Sequence, residues 1–218
     1  MQDDNEPKVR GSWPLALLRD DGIVFHVAGS NPPQYAEDAP LEALWRAGQK
    51  SRMYWHVSHR ADPRALPLAD RHYNRQKIGA PQFVPPGRCL VLLNEDATAL
   101  WVTSWPYAQY VRHAWAGAWV CSLFRNESTV LSSTLIRQAV AATLWHYGAA
   151  PTLGFITFVD AGKTRRKRDP GRCYRKAGWS HVGYTAGGLV ALQLRADQMP
   201  EATAPLSAQT TMQLLEAA

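Results

Sequence analysis

Apolar residues in this chain recur with two different periods, and the places where the period changes mark out the elements. Residues 1–52 show neither period clearly. They are polar and carry turn signals at Asp20-Asp-Gly22 and Asn31-Pro-Pro33. They hold at most a short strand, Ile23-Val-Phe-His-Val27, and a short helix over Pro40-Leu-Glu-Ala-Leu-Trp-Arg-Ala47 with Leu41, Leu44 and Trp45 on one face. The pattern tightens from Met53. Tyr54-Trp-His-Val-Ser58 reads as a strand. Arg88-Cys-Leu-Val-Leu-Leu93, the turn Asn94-Glu-Asp-Ala97 and Ala99-Leu-Trp-Val-Thr-Ser-Trp105 read as a hairpin. Trp119-Val-Cys-Ser-Leu-Phe124 is a further strand.

The strongest helix follows. Across Ser132–Tyr147, Ile136, Val140, Thr143, Leu144 and Tyr147 recur at helical spacing; Ser132 or Ser133 is the expected N-cap and Gly148 the stop. Strands over 153–160 and Leu189-Val-Ala-Leu-Gln-Leu194 complete the set. Two antiparallel strands therefore feed a β-α-β crossover and a last strand. The expected fold is α/β (α+β): a mixed, largely antiparallel sheet with flanking helices. The division expected is an extension over 1–52, a folded domain over 53–200 and a tail over 201–218 with a frayed helix over Met212–Ala217.

Composition excludes some classes. At 46% hydrophobic and 19% charged residues in 218, the chain is globular, not disordered. No apolar run reaches the roughly 20 residues of a membrane span. The acidic opening Met1-Gln-Asp-Asp-Asn-Glu-Pro7 lacks the pattern of a secretory signal, so a cytoplasmic protein is expected. Cys89, Cys121 and Cys173 are too scattered for a disulfide scaffold or a Cys-x-x-Cys zinc site.

Charge adds a location. The net charge is +6, and Lys163, Arg165, Arg166, Lys167, Arg168, Arg172, Arg175 and Lys176 place eight cations within fourteen residues. This block suits a phosphate-bearing polyanion, although charge runs are often only solvated surface. It directly follows the apolar run Gly154-Phe-Ile-Thr-Phe-Val-Asp160, whose terminal carboxylate stands where α/β proteins place chemistry. Trp105, Tyr174 and Trp179 lie near cationic stretches and, for a partner whose base must be extruded, are candidates to stack on it.

The order of strands around one long helix is similar to the GNAT acyltransferase superfamily. Asp70-Arg-His-Tyr-Asn-Arg75, Leu123-Phe-Arg-Asn126, Phe158-Val-Asp160 and Cys173-Tyr-Arg-Lys-Ala-Gly-Trp179 more narrowly resemble the Mom family of phage DNA-modification proteins, over roughly His72 to Leu194. The resemblance implies conversion of adenine to N6-methylcarbamoyl-adenine in duplex DNA, which shields phage DNA from host restriction. It also implies an association with iron and, through GNAT, an acyl donor such as acetyl-CoA as the small-molecule group donor. By position it implies that His72, Tyr73, Asp160 and Tyr174 surround the reacting centre and that Arg125, with Ser132 and Ser133 at the helix start, grips a donor phosphate. The stretch Arg125-Asn-Glu-Ser-Thr-Val-Leu-Ser-Ser133 has no glycine where the GNAT phosphate signature Gln/Arg-x-x-Gly-x-Gly/Ala should lie.

The residues by themselves leave alternatives. His72, Tyr73 and Asp160 are candidate iron ligands, with His56, His59, His113 or His181 as a second imidazole. Asp160 is otherwise a general base on the adenine amine or the cap of the next turn. Tyr174 is a proton donor, a clamp on the base or a packing residue. Two other functions fit the same features: a GNAT N-acetyltransferase for a small amine or protein, and a non-catalytic nucleic-acid-binding module.

Overall fold

The computed structural model describes residues 52–84, 86–107, 111, 114–164 and 169–208. The expected strand Ile23–Val27, the helices over Pro40–Ala47 and Met212–Ala217, and Arg165, Arg166, Lys167, Arg168 and His113 lie outside them.

The chain forms a seven-stranded, mostly antiparallel sheet with a few helices. Its elements in order are β1 (Trp55–Ser58), α1 (Leu66–Asp70), β2 (Arg88–Asn94), β3 (Ala99–Trp105), β4 (Trp119–Asn126), α2 (Ser132–Tyr147), β5 (Phe155–Val159), α3 (Arg172–Lys176), β6 (Ser180–Tyr184) and β7 (Val190–Leu194). The spatial order is β1-β2-β3-β4-β5-β7-β6. Among the described residues only β4 and β5 pair in parallel, joined through α2. Every strand expected from the pattern within the described residues is present. Helices α1 and α3 and strand β6 are additions to that pattern. Helices α1 and α3 are five residues each. Strand β6 contains Gly183 and is mostly solvent-facing, so its apolar alternation is weak.

The sheet is buried on both faces, which is why its central strands are continuous apolar runs. Leu90, Leu92, Ala99, Trp101, Trp119, Cys121, Phe155 and Leu192 pack toward Leu135, Ile136, Ala139 and Val140 of α2 and Tyr174 and Ala177 of α3. The alternate residues Val91, Leu93, Leu100 and Val102 pack toward Leu68 and Ala69 of α1 and toward Phe83 and Val84. Helix α2 buries more than the expected stripe, including Ala141, Ala142 and Gln138. It ends at Gly148, whose φ of 83° is the left-handed cap expected there.

One irregularity shapes everything that follows. Val102 pairs with Leu123, but the next residue, Thr103, pairs with Cys121, so β4 holds an extra residue at Ser122. A β-bulge reverses the in-out alternation beyond it. Cys121 accordingly packs on the α2 side, whereas Leu123 packs on the α1 side with Leu68 and Val102. The same bulge ends the parallel ladder, whose last pair is Cys121 with Thr157. Beyond that point β4 and β5 separate.

Candidate functional site

The opening between β4 and β5 is where the chemistry-bearing residues meet. Asp160 directly follows β5 and occupies one wall. Its Oδ1 accepts from the Lys163 backbone N–H at 3.0 Å, and its carbonyl accepts from the Thr164 N–H and hydroxyl at 3.1 and 2.7 Å. Asp160 thus does cap the next turn, as the plainer sequence reading held, but with one oxygen only. Its Oδ2 faces Lys163 Nζ at 3.9 Å.

Arg125 lies two residues past Leu123 and shares its post-bulge side of β4. Its Nη1 donates to the Arg71 carbonyl at 2.9 Å and its Nε to Glu127 at 2.9 Å. Arg71 holds the same carboxylate through Nε and Nη2 at 2.8 and 2.7 Å. The two guanidinium groups, Arg71 first, hold the Glu127 carboxyl well below its ordinary 4.5, at about 2.

His72 and Tyr73 reach this opening from the far side of the sheet, immediately after α1, with their rings stacked at 4.4 Å between centroids. Burial, with Arg125 and Lys163 adding positive charge, pulls the His72 imidazole down to about 4, so it is neutral at pH 7. Its Nδ1 accepts from the Asn74 N–H at 3.3 Å. A neutral ring that accepts at Nδ1 carries its proton at Nε2, so the remaining ring atom is a donor. Burial pushes the Tyr73 phenol up to about 12, against a backbone hydrogen bond from Asp160 and with Cys121, the Asp160 charge and Cys173 pushing the same way. That bond links the loop after α1 to the end of β5, just past the last β4–β5 pair.

Tyr174 forms the floor. It is 8% exposed, its hydroxyl lies 3.4 Å from Cys121 Sγ, and burial followed by Cys121 and Cys173 raises it well above its ordinary value. It packs on Phe124 and Trp179. Trp179 is 3% exposed and carries no free face for a base. Trp105 packs edge-on against Trp119 and Tyr147, with the Arg88 guanidinium 5.6 Å from its ring. Arg172 and Lys176 are exposed on α3, and Arg175 is paired with Asp169.

The structure therefore gathers His72, Tyr73, Asp160, Tyr174 and Arg125, and adds Arg71, Glu127, Cys121 and Lys163. Glu127 stood two residues from Arg125 in the sequence, but nothing there tied it to Arg71. Cys121 is a core residue, as expected, and also borders the site. Ser132 and Ser133 do not cap α2. The cap position is Leu131, with no side-chain cap bond, and the Ser132 hydroxyl accepts from Asn126 Nδ2 at 3.0 Å. The cap must stand before the first turn, and Ser132 is already inside it.

The loop before α2 offers a coenzyme phosphate no ready-made seat. In it, Asn126 Oδ1 takes the Ser128 N–H and hydroxyl, its Nδ2 donates to Val130 O, and Glu127 places a carboxylate on Arg125. That is a poor cradle for a coenzyme pyrophosphate. For iron, no three His, Cys, Asp or Glu side chains converge among the described residues. His56 sits on β1 and His181 on β6, the two edges of the sheet, and His59 in the turn after β1. Comparison with protein-family models, with curated proteins and with solved structures finds no match to this chain.

Proposed function

We propose that this protein is a DNA-modifying transferase that converts adenine to N6-methylcarbamoyl-adenine in duplex DNA, protecting phage DNA from restriction. The observation that carries the reading is the convergence of His72 and Tyr73, from one side of the sheet, with Asp160 and Tyr174 at the point where β4 and β5 separate. The strand order, with β4 and β5 paired in parallel through the one long helix α2, supports a GNAT-like arrangement. The resemblance supplies the product; the site supplies groups of the right kind.

The adenine amine is a weak nucleophile because its lone pair is delocalised into the ring. Transfer forms a bond from N6 to the donor carbonyl carbon, breaks the bond from that carbon to its leaving group, and removes one N6 proton. Asp160 is the base, through the oxygen its turn leaves free. His72 has no lone pair to spare, since Nδ1 accepts from the Asn74 N–H and Nε2 carries the proton; that Nε2–H instead donates to the developing oxyanion. Tyr73 is a neutral donor beside Asp160, and Tyr174 holds the floor. The target adenine must be extruded to reach them, and Lys163, Arg172 and Arg175, with Arg165, Arg166, Lys167 and Arg168, supply the phosphate contacts. The donor is a small molecule with a transferable acyl-type group, and no step is assigned to iron or to a coenzyme.

Mass spectrometry of nucleosides from a plasmid co-expressed with the protein tests this directly. An added adenine nucleoside is expected, absent with Asp160→Asn while DNA binding persists. An unmodified adenine peak from soluble, DNA-binding protein would overturn it. Tight acetyl-CoA binding indifferent to DNA would favour an ordinary N-acetyltransferase instead.

A further inference from the structure

The described residues of 71–87 contain no helix or strand, yet His72 and Tyr73 lie among them. Chain of this kind does not hold two rings in a fixed place by its backbone alone, so other bonds must fix it. One side chain dominates. Arg75 is only 5% exposed, and three of its nitrogens are used: Nε donates to Asp70 Oδ1 at 2.7 Å, Nη2 to Ala80 O at 2.6 Å and Nη1 to Gln82 O at 3.2 Å. Asp70 in turn accepts the Gly79 N–H on Oδ2 at 2.9 Å. The pair thus ties the end of α1 to the returning limb of the loop, and His72 and Tyr73 lie between its two members.

The two ends of the clasp rest on rigid structure. Asp70 closes α1, whose Leu68 and Ala69 are buried against the sheet, and the loop returns to the same core through Phe83 and Val84. Inside it, His72 N–H donates to Ala69 O at 3.0 Å and Arg75 N–H to His72 O at 2.9 Å. We infer that the Asp70–Arg75 pair is a positioning device that holds His72 and Tyr73 in the opening between β4 and β5. This assignment rests on the reading of that opening as the reactive site. Both residues act through the loop and are not themselves catalytic.

Two physical arguments favour positioning over mere stability. A buried ion pair is a poor source of stability, since well-packed apolar residues often do as well. What it does supply is direction, and here the direction is set by one planar fork reaching three acceptors. A lysine has the charge but not the fork, so it cannot hold all three.

The test compares wild type with Arg75→Lys, Arg75→Met and the near-isosteric Asp70→Asn, which keeps the proposal falsifiable where an Arg75 variant does not fold. Two readouts are taken on the full chain. The first is the fraction of plasmid adenine modified in cells, with DNA affinity measured alongside. A fall of about 100-fold in modification at unchanged DNA affinity is expected, the size a misplacement of about 1 Å produces. Arg75→Lys should fail to rescue. The second needs no activity: hydrogen exchange over 71–82, and reaction of His72 with diethylpyrocarbonate followed by peptide mass spectrometry. Both should rise in the variants while exchange across the sheet stays as in wild type. Full modification by Arg75→Lys, or His72 as protected as in wild type, would overturn the proposal, as would faster exchange spread evenly through the sheet. If wild type modifies no adenine, the function is wrong, and the exchange and labelling still decide the clasp.

Discussion

Two carboxylates near the opening between β4 and β5 divide their oxygens differently. Asp160 gives Oδ1 to the turn that follows it and leaves Oδ2 toward Lys163. Glu127 gives both to guanidinium groups, from Arg71 and Arg125. The second arrangement has a consequence for acid stability. The Glu127 carboxyl is lowered from 4.5 to about 2, so the unfolded chain binds a proton that the folded chain refuses. Its stabilisation is fully present above pH 4.5 and is lost as pH falls through about 2. Urea titrations between those limits should show wild type losing a share of stability that Glu127→Gln never had. At pH 7 the variant should also be the less stable, modestly because the carboxylate is partly exposed. Equal acid slopes for the two proteins would contradict this. Of the site, Asp160 was legible because it ends an apolar run, whereas His72 and Tyr73 were singled out by the family resemblance. The sequence did not show Arg71 with Glu127, because nothing local connects residues so far apart.

At the scale of elements, strands were legible and their irregularities were not. Arg88–Asn94 and Ala99–Trp105 are continuous apolar runs around an Asn-initiated turn, and Asn94 Oδ1 takes the Thr98 and Ala99 N–H groups at 2.8 and 2.6 Å. The bulge at Ser122 leaves no mark of that kind, since Trp119–Asn126 reads as one strand either way. Yet it is the bulge that turns Arg125 toward Arg71. Strand β5 begins at another special position. Gly154 has φ +65°, and a Cβ there would stand 2.2 Å from the Leu194 carbonyl oxygen, which is backbone and cannot swing aside. Gly154→Ala should therefore cost roughly 3 kcal/mol. Thermal denaturation should show a fall of about 6–12 °C for a domain of this size. A variant melting with wild type would mean that β5 and β7 pack differently.

For the whole molecule, no helix among the described residues is long and apolar enough to cross a membrane. Along the chain the positive charge gathers beyond β5, and among the described residues Arg172 and Lys176 are exposed on α3. If that charge holds DNA, replacing Arg165, Arg166, Lys167 and Arg168 with alanine should flatten the dependence of log affinity on log salt by about 3 to 4 units, near one per lost phosphate contact. Fluorescence anisotropy with a labelled duplex at several salt concentrations measures it. An unchanged slope would remove this segment from the interface.

What the sequence determined by itself is what depends on neighbours along the chain. The periods of two and 3.6 gave the strands and the long helix ended by Gly148, and the terminal carboxylate of 154–160 beside a cationic block marked one end of the sheet. What the tertiary structure decided is which distant groups share a volume. The bulge ends the β4–β5 ladder at Cys121 and Thr157, and a loop fastened by Asp70 and Arg75 brings His72 and Tyr73 from across the sheet to Asp160. Periodicity reports which way a side chain faces its own element. Which elements lie side by side follows from burying both faces of one sheet at once, and that is a property of the whole chain.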